Sequence, residues 1–381
     1  MLAKRRLLVV PGVFLVAAGV SAHPPRAVSF GTAGTSQGFF VIPLADSPGL
    51  VAVPAPRDED LATALFSVEG ERLVHRLTIP GVRANQGRPL AAPAGITRLL
   101  LAGGVPHRDD VVYGWVVVES GADQVPRVVW RSTELPLEAG ESTFVAFDTV
   151  GLRWAAMGRT DTLKSTEWKV VAGQFPSTDP AWDATIRSGR GRAPDYLSTA
   201  PAGDQICVLD DGSVVVLTGG VVVLLRLPAP PLPLSLQGLQ PPVLNLDCHG
   251  PSGTVLVRDQ GGKLALYALG ARAAALPEGD ALPPDRVLSE ETLGVRPGGV
   301  VASYSRGVAL SAKKGGQRGV VFLELPASAP EGPVPLLELP ELAASWRFWV
   351  SGDGAFLLWE ASRPGGSRAL MSATRAALAS R

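Results

Sequence analysis

The chain has 381 residues, of which 46% are hydrophobic and 18% are charged, so it has enough apolar material for a large core and too little charge for a disordered chain. Lys and Arg together number 35, and Asp and Glu also number 35, so the formal net charge is zero. A balanced surface has no long-range field that attracts nucleic acid or anionic lipid, and we expect neither as a partner.

The first 22 residues have the three-part plan of a secretory signal peptide. A basic start at Lys4–Arg6 precedes an apolar run from Leu7 to Val20, and Val20-Ser21-Ala22 supplies the small residues that signal peptidase requires. The apolar run is short for a membrane span, and Pro11-Gly12 disfavours a permanent helix within it. We predict cleavage near Ala22 and a secreted or periplasmic mature chain that begins at His23 and has no membrane span.

Downstream of this leader, seven segments have strand-like runs on both sides of a tight turn. The turns lie near Gly70, Gly121, Asp161, Gly219, Gly261, Gly315 and Gly365. The last four are Gly-Gly pairs, which accept positive φ without a Cβ clash and favour hairpins. The mean spacing of the seven turns is about 49 residues, within the range of four-stranded repeats.

The strands themselves are continuous apolar runs, such as those at 214–217, 221–225 and 264–267. A strand that is covered on both faces has this texture, as in blades stacked face to face. Over residues 27 to 371 the chain resembles β-propeller repeat proteins. The resemblance implies an all-β ring of blades, each of four antiparallel strands. The seven turns predict seven blades, closed by pairing of the N-terminal and C-terminal strands; six and eight blades stay open as alternatives, because the turn intervals range from 40 to 58 residues.

The domain boundaries follow from this reading. We predict a signal peptide over 1–22, a propeller over 23–371 and a helix-competent C-terminal tail over 372–381. The alternative is a pair of β-sandwich domains joined at the Pro-rich stretch Leu227 to Val243. We favour a loop between blades at this stretch, because the repeat continues beyond it.

Only two cysteines, Cys207 and Cys248, are present, and they lie in adjacent repeats. An oxidising compartment allows them to form a disulfide, although two buried free thiols remain the alternative. The chain has no CxxC motif and its four histidines do not form a ligand cluster, so we predict no metal site and no cofactor.

The segment His107-Arg108-Asp109-Asp110 has the highest density of side chains that could act in binding or proton transfer. A histidine and two carboxylates near a strand start are able to bind a ligand or transfer protons, and we expect such a loop to line the central channel. The alternative is a polar turn in which Asp caps backbone N–H groups.

Four other segments carry weaker signals. Gly34–Gly38 matches GxSxG, but the strand-like run that follows it predicts a hairpin turn and not a nucleophile elbow. Arg57–Asp60 lacks calcium-loop spacing and Arg187–Arg192 lacks aromatic neighbours, so both read as solvated loops. Asp179–Asp183 has two carboxylates around Trp182, which fits either a sugar-binding loop or a buried tryptophan.

These observations predict an exported, non-catalytic binding or scaffold module with a protein or glycan partner. Two alternatives stay open. One is a propeller hydrolase or lyase with a site at the channel mouth, and the other is a subunit of a cell-envelope assembly.

Overall fold

The structure, a computed structural model, describes residues 26–28, 39–44, 47–56, 59–69, 71–121, 125–137, 144–161, 166–188, 206–226, 229–269, 281–325, 333–362 and 368–380. The predicted signal peptide and the GxSxG segment lie outside these residues. In the part of the chain that is described, no helix combines the length and the hydrophobicity that crossing a membrane requires.

The described strands form seven antiparallel sheets, and each sheet is one blade. Strands are numbered in chain order, beginning with β1 (Arg26–Val28). Blade 1 contains β2 (Phe40–Ile42), β3 (Leu50–Pro54), β4 (Ala62–Glu69) and β5 (Arg72–Pro80). Blade 2 contains β6 (Arg83–Leu90), β7 (Ile96–His107), β8 (Asp110–Gly121) and β9 (Arg127–Arg131). Blade 3 contains β10 (Phe144–Phe147), β11 (Arg153–Asp161), β12 (Thr166–Gln174) and β13 (Pro180–Ser188).

The remaining blades follow the same order. Blade 4 contains β14 (Ile206–Val208), β15 (Val214–Thr218), β16 (Val221–Leu225) and β17 (Leu232–Leu236). Blade 5 contains β18 (Val243–His249), β19 (Thr254–Asp259), β20 (Leu264–Ala268) and β22 (Arg286–Leu288), while β21 (Ala281–Leu282) adds to the edge of blade 4. Blade 6 contains β23 (Arg296–Tyr304), β24 (Gly307–Lys314), β25 (Gln317–Glu324) and β26 (Leu337–Glu338). Blade 7 contains β27 (Phe348–Val350), β28 (Phe356–Ser362), β29 (Arg368–Thr374) and β1.

The ring closes through blade 7, which combines both ends of the described chain. β1 pairs antiparallel with β29, with Arg26 opposite Ser372 and Val28 opposite Leu370. The N-terminal strand thus supplies the outer strand of the C-terminal blade. This confirms the predicted seven-bladed, all-β ring and its mode of closure.

The four-strand order of each blade defines two faces of the ring. We call the face on which the innermost strands begin the upper face, and the face on which they end the lower face. In the chain, the predicted turns near 161, 219, 261, 315 and 365 fall between the second and third strands of blades 3 to 7, and the described ones at 219, 261 and 315 lie on the upper face. Those near 70 and 121 instead fall between the third and fourth strands of blades 1 and 2.

The core lies between neighbouring blades, which explains the continuous apolar runs. In β15, Val214 and Val216 pack in the cluster shared with blade 3, while Val215 and Leu217 pack in the cluster shared with blade 5. Successive side chains of a strand point to opposite faces, so a strand between two blades buries every residue. Val214–Thr218 is accordingly buried throughout.

The Pro-rich stretch Leu227 to Val243 is neither a simple linker nor only a loop between blades. Its central residues form β17, the fourth strand of blade 4, in which Pro233 pairs with Val223. Proline lacks the N–H that an inner strand must donate and is tolerated near a sheet edge. Beyond β17, β21 adds a short parallel pairing.

The C-terminal residues, predicted as a tail over 372–381, are packed onto the propeller as far as they are described. Ser372–Thr374 complete β29, and a short helix (Arg375–Ala379) follows. The Thr374 hydroxyl accepts a hydrogen bond from the Ala377 N–H at 3.2 Å. Leu378 is buried in the cluster between blades 6 and 7, so the propeller extends beyond residue 371.

Candidate functional site at the centre of the ring

A central cavity of ≈ 640 Å³ lies at the lower end of the ring axis. Every blade contributes to its wall through the end of its innermost strand or the turn that follows. One residue from each blade, in order, is Pro43, Leu90, Phe147, Val208, His249, Tyr304 and Val350. A recess of this volume is in the range of small-ligand sites, and the strands around it form it without rearrangement.

His249 ends β18 and is 3% exposed. Its Nε2 lies 3.0 Å from the Tyr304 carbonyl oxygen of blade 6, and its Nδ1 lies 2.7 Å from the Ser252 hydroxyl. A neutral imidazole has one donor nitrogen and one acceptor nitrogen, so Nε2–H donates to the carbonyl and Nδ1 accepts from the hydroxyl. Burial lowers the pKa of His249, and the neighbouring carbonyls and the Asp210 carboxylate only partly oppose this. His249 therefore ties blade 5 to blade 6 as a neutral side chain.

The pair formed by Ser252 and His249 has the spacing of a nucleophile and its base. A catalytic base must accept a proton and become an imidazolium, however, and the lowered pKa of His249 opposes that step. The Ser252 hydroxyl also lies 2.9 Å from the Thr254 hydroxyl, within the same turn. The arrangement stabilises the junction of two blades.

Two aspartates occupy the turns that follow the innermost strands of blades 3 and 4. Asp210 accepts hydrogen bonds from the Thr149 hydroxyl at 2.6 Å and from the Thr149 N–H at 3.2 Å, which ties these two blades together. Asp148 is 2% exposed, and its Oδ1 accepts from the Leu152 and Arg153 N–H groups at 2.9 and 3.1 Å. Its second oxygen, Oδ2, is buried at the cavity wall without a hydrogen-bond partner among the described residues. Oδ2 itself is not exposed to the cavity; it is a buried acceptor whose hydrogen-bonding capacity the described residues leave unused.

The two cysteines also belong to the cavity wall. Cys207 lies in β14 and Cys248 in β18, the innermost strands of adjacent blades, and the structure joins them in a disulfide with a Cα–Cα distance of 6.1 Å. The pairing is the one that their positions in neighbouring repeats suggest. It fixes blades 4 and 5 to each other at the axis.

The segment His107-Arg108-Asp109-Asp110 lies elsewhere. His107 pairs with Asp110 across the hairpin between β7 and β8, on the upper face, so the segment does not line the central cavity. Arg108, Asp109 and Asp110 are exposed and His107 is half-buried. Arg108 has φ of 54°, a left-handed conformation, where the equivalent turn of blade 4 uses Gly219 and Gly220. Its role in binding stays a prediction.

The other sequence signals are dispersed over the ring. Asp179 is exposed in a lower-face turn, and Trp182 on β13 is half-buried against the core between blades 3 and 4. Of Arg57–Asp60, only Glu59 and Asp60 are described, and both are exposed. Arg187 lies near the end of β13, while the later arginines of its segment lie outside the described residues. Within the described chain, no group of three or more His, Cys, Asp or Glu side chains is arranged to hold a metal ion.

Sequence reasoning missed Asp148 and Asp210, and it gave no role to His249. A faint signal was present, because an aspartate follows the innermost strand in several repeats, as at Asp148, Asp210 and Asp353. Aspartates of this kind cap turn N–H groups, so the pattern alone does not distinguish a structural carboxylate from one with a spare oxygen.

The lowered pKa of His249 predicts that the stability of the fold depends on pH. Since the folded state binds this proton less readily than the unfolded state, the free energy of unfolding should fall as the pH drops below about 6.5, the ordinary histidine pKa. Replacing His249→Gln should flatten this fall while lowering stability at neutral pH. Urea unfolding at pH 7.5 and pH 5.0 measures both effects. The exposed His75→Gln is the matched control and should keep the wild-type slope; an unchanged slope in His249→Gln would contradict the assignment.

Solved structures that resemble the chain are β-propellers. The β-propeller domain of Cps50 (Swd1) from Myceliophteria thermophila matches with a TM-score of 0.52 and 12% identity, over 92% of this chain and 99% of that one. Sqt1 from Chaetomium thermophilum matches with a TM-score of 0.49 and 13% identity, over 93% and 97%. No protein-family model and no curated protein sequence matches the chain. At such identities the likeness establishes the fold alone, and the chain is a seven-bladed β-propeller.

Proposed function

We propose that the chain is an exported, non-catalytic β-propeller that acts as a binding or scaffold module for a protein or glycan partner. Export rests on the predicted signal peptide over residues 1–22. The observation that carries the binding role is the central cavity with the unpaired Oδ2 of Asp148 in its wall.

The chemistry of the cavity favours binding over turnover. His249 Nε2 and the carboxylate of Asp210 connect neighbouring blades, and His249 Nδ1 is bonded to Ser252 of its own turn, so these groups are committed to the scaffold. Asp148 Oδ2 is different, because it is desolvated and keeps its acceptor capacity. A partner's N–H or O–H satisfies this acceptor if the cavity wall at Asp148 opens on binding, and the hydrogen bond gained then favours the bound state.

Asp148→Asn tests this role with a minimal change. An asparagine retains an Oδ1 that accepts from the Leu152 and Arg153 N–H groups, but it replaces the free acceptor Oδ2 by an NH₂ donor. We expect cross-linking of the tagged, exported protein in its own cell envelope to recover one reproducible partner. The yield should fall on the order of tenfold in Asp148→Asn, as for the loss of a buried hydrogen bond.

Asp353→Asn is the matched control, because Asp353 also caps a lower-face turn, through the Ala355 N–H at 2.9 Å, and is exposed. Its partner yield should equal that of the wild type. Equal yields from both variants would contradict a role for the cavity. Turnover of an ester, lactone or glycoside that is lost in the His107→Ala/Asp109→Ala/Asp110→Ala variant would contradict the non-catalytic assignment.

A further inference from the structure

A second recess, of ≈ 470 Å³, lies on the upper face, where the innermost strand of blade 6 begins. Three cationic side chains line it: Arg296 at the start of β23, Lys313 opposite it on β24, and Arg258 on β19 of blade 5. Ser345 and Trp346, which precede β27 of blade 7, complete the wall. No carboxylate lines this recess, and its three cations form no ion pair with any described residue. We call it the basic pocket.

The guanidinium of Arg258 lies close to the backbone of β23 in the basic pocket. It lies against Gly299, where a Cβ atom would overlap its Nη1 and Cζ atoms. Gly298 and Gly299 belong to an irregularity of β23, since the register with β24 shifts between Pro297 and Val301. Such bulges often accompany binding sites, because they redirect the backbone and allow close approach. The glycine thus makes room for a half-buried charge that reaches across from the neighbouring blade.

Trp346 at the opposite wall is held in a conformation that bulky residues rarely adopt. Its φ is 55°, in the left-handed region, and its N–H donates to the Ala343 carbonyl at 3.0 Å. Backbone strain of this kind persists only where the surroundings fix it, and it concentrates at functional sites. The strained residue, the bulge and the unpaired cations therefore coincide in one recess.

The surroundings of the basic pocket carry exposed charges of both signs. Lys314, Arg318 and Arg347 are exposed on the same face of blades 6 and 7. Four exposed acids also lie on this face, outside the pocket: Glu290, Glu291, Glu338 and Glu341. Glu338 accepts a hydrogen bond from Gln317 at 2.8 Å. Asp259, next to Arg258, is buried and accepts from the N–H groups of Gln240 and Lys263. Glu360 is buried behind Ser345, whose hydroxyl donates to it at 2.7 Å. The side chains that line the recess carry three positive charges and no negative charge.

The form of the basic pocket indicates what it binds. Its volume exceeds that of a single phosphate or carboxylate, and its charges come from two blades, which suits several acidic groups along a chain. Unstacked bases bind by stacking on an open aromatic face. Trp346 does not offer one, because it packs against the core of blades 6 and 7 and the Arg318 guanidinium lies 5.2 Å from its ring centroid.

We infer that the basic pocket binds an acidic segment of a protein partner, whose carboxylates contact Arg258, Arg296 and Lys313. This inference rests on the proposed binding function and names the chemistry of one contact. Arg258 supplies the half-buried contact, while Arg296 and Lys313 at the rim attract and orient the segment.

Binding of a fluorescein-labelled decaglutamate peptide to the intact mature protein tests the inference, with anisotropy as the readout. Decaglutamate should bind, decaglutamine should not, and binding should weaken with added salt. Arg296→Glu/Lys313→Glu should weaken binding on the order of tenfold, since two attractive contacts become repulsive. Arg72→Glu/Lys169→Glu makes the same charge change at exposed positions of blades 1 and 3 and is the matched control.

Gly299→Ala provides a second variant that changes no charge. The new methyl group displaces the flexible end of Arg258, so the fold should persist while binding weakens about threefold or more. Gly316→Ala is its control, because a Cβ there meets no atom within 4 Å. Circular dichroism and the melting temperature verify that each variant is folded.

Equal affinities of the pocket variants and their controls would overturn the inference. So would tighter binding of oligogalacturonate or an oligothymidylate, or displacement of the peptide by millimolar inorganic phosphate. The cross-linking test of the central cavity with Asp148→Asn is independent of these outcomes. If Asp148→Asn loses the envelope partner while the peptide results fail, the proposed function stands and the basic pocket does not take part; the reverse result would retain the pocket and reject the cavity.

Discussion

Replacing both cysteines, as Cys207→Ala/Cys248→Ala, should lower the free energy of unfolding by about 4 kcal/mol. The disulfide joins positions 41 residues apart, and a loop of that length restricts the unfolded chain strongly. It also connects β14, which has only three residues, to the next innermost strand. Alanine is the appropriate replacement, because Cys207 is 8% exposed and a serine hydroxyl would be buried there.

Guanidinium unfolding of the wild type, with and without a reductant, measures this contribution. Reduction should destabilise the wild type by a similar amount and leave the double variant unchanged, which makes the variant its own control. The prediction fails if two free thiols are titrated in denatured, non-reduced protein. It also fails if reductant shifts the two proteins equally.

The fold could be predicted from the sequence because the repeat has a strong physical cause. Strands buried between two blades show no polar alternation, and the sequence shows this in continuous apolar runs such as the buried residues 222–225 of β16. Gly219 and Gly220 mark a hairpin because both adopt positive φ, 57° and 80°. In blades 1 and 2 the predicted turns belong to a different pair of strands, the third and fourth. In blade 2 the hairpin between the second and third strands turns at Arg108 and Asp109, without paired glycines.

The candidate site could not be predicted in the same way. The basic pocket combines Arg258 with Gly299 and Trp346, residues from three blades that no local pattern relates. The state of His249 depends on the Tyr304 carbonyl, 55 residues further along the chain. The disulfide could be predicted because its two cysteines lie in adjacent repeats. The contacts of the basic pocket and of His249 depend instead on which side chains meet between blades. Repeat spacing does not contain that information.

The same interblade packing makes one tryptophan decisive for stability. Trp154 on β11 is 0% exposed, packs 5.7 Å from Trp130 of blade 2, and donates from Nε1 to the Ser177 carbonyl at 2.9 Å. Trp154→Ala would remove the ring and its hydrogen bond and leave a cavity between blades 2 and 3. The expected loss is about 3–5 kcal/mol in the free energy of unfolding, measured by guanidinium denaturation.

Two further variants separate the causes of this loss. Trp154→Phe retains an aromatic ring, leaves the Ser177 carbonyl without its donor, and should lose less than alanine. Trp182→Ala removes a half-buried tryptophan on the outer strand β13, where water reaches the site, and should cost clearly less than Trp154→Ala. Equal losses at positions 154 and 182 would contradict the view that burial between blades, and not tryptophan content, stabilises the ring. Because each interface joins two blades, damage at one is expected to lower the single unfolding transition of the whole propeller rather than to release one blade.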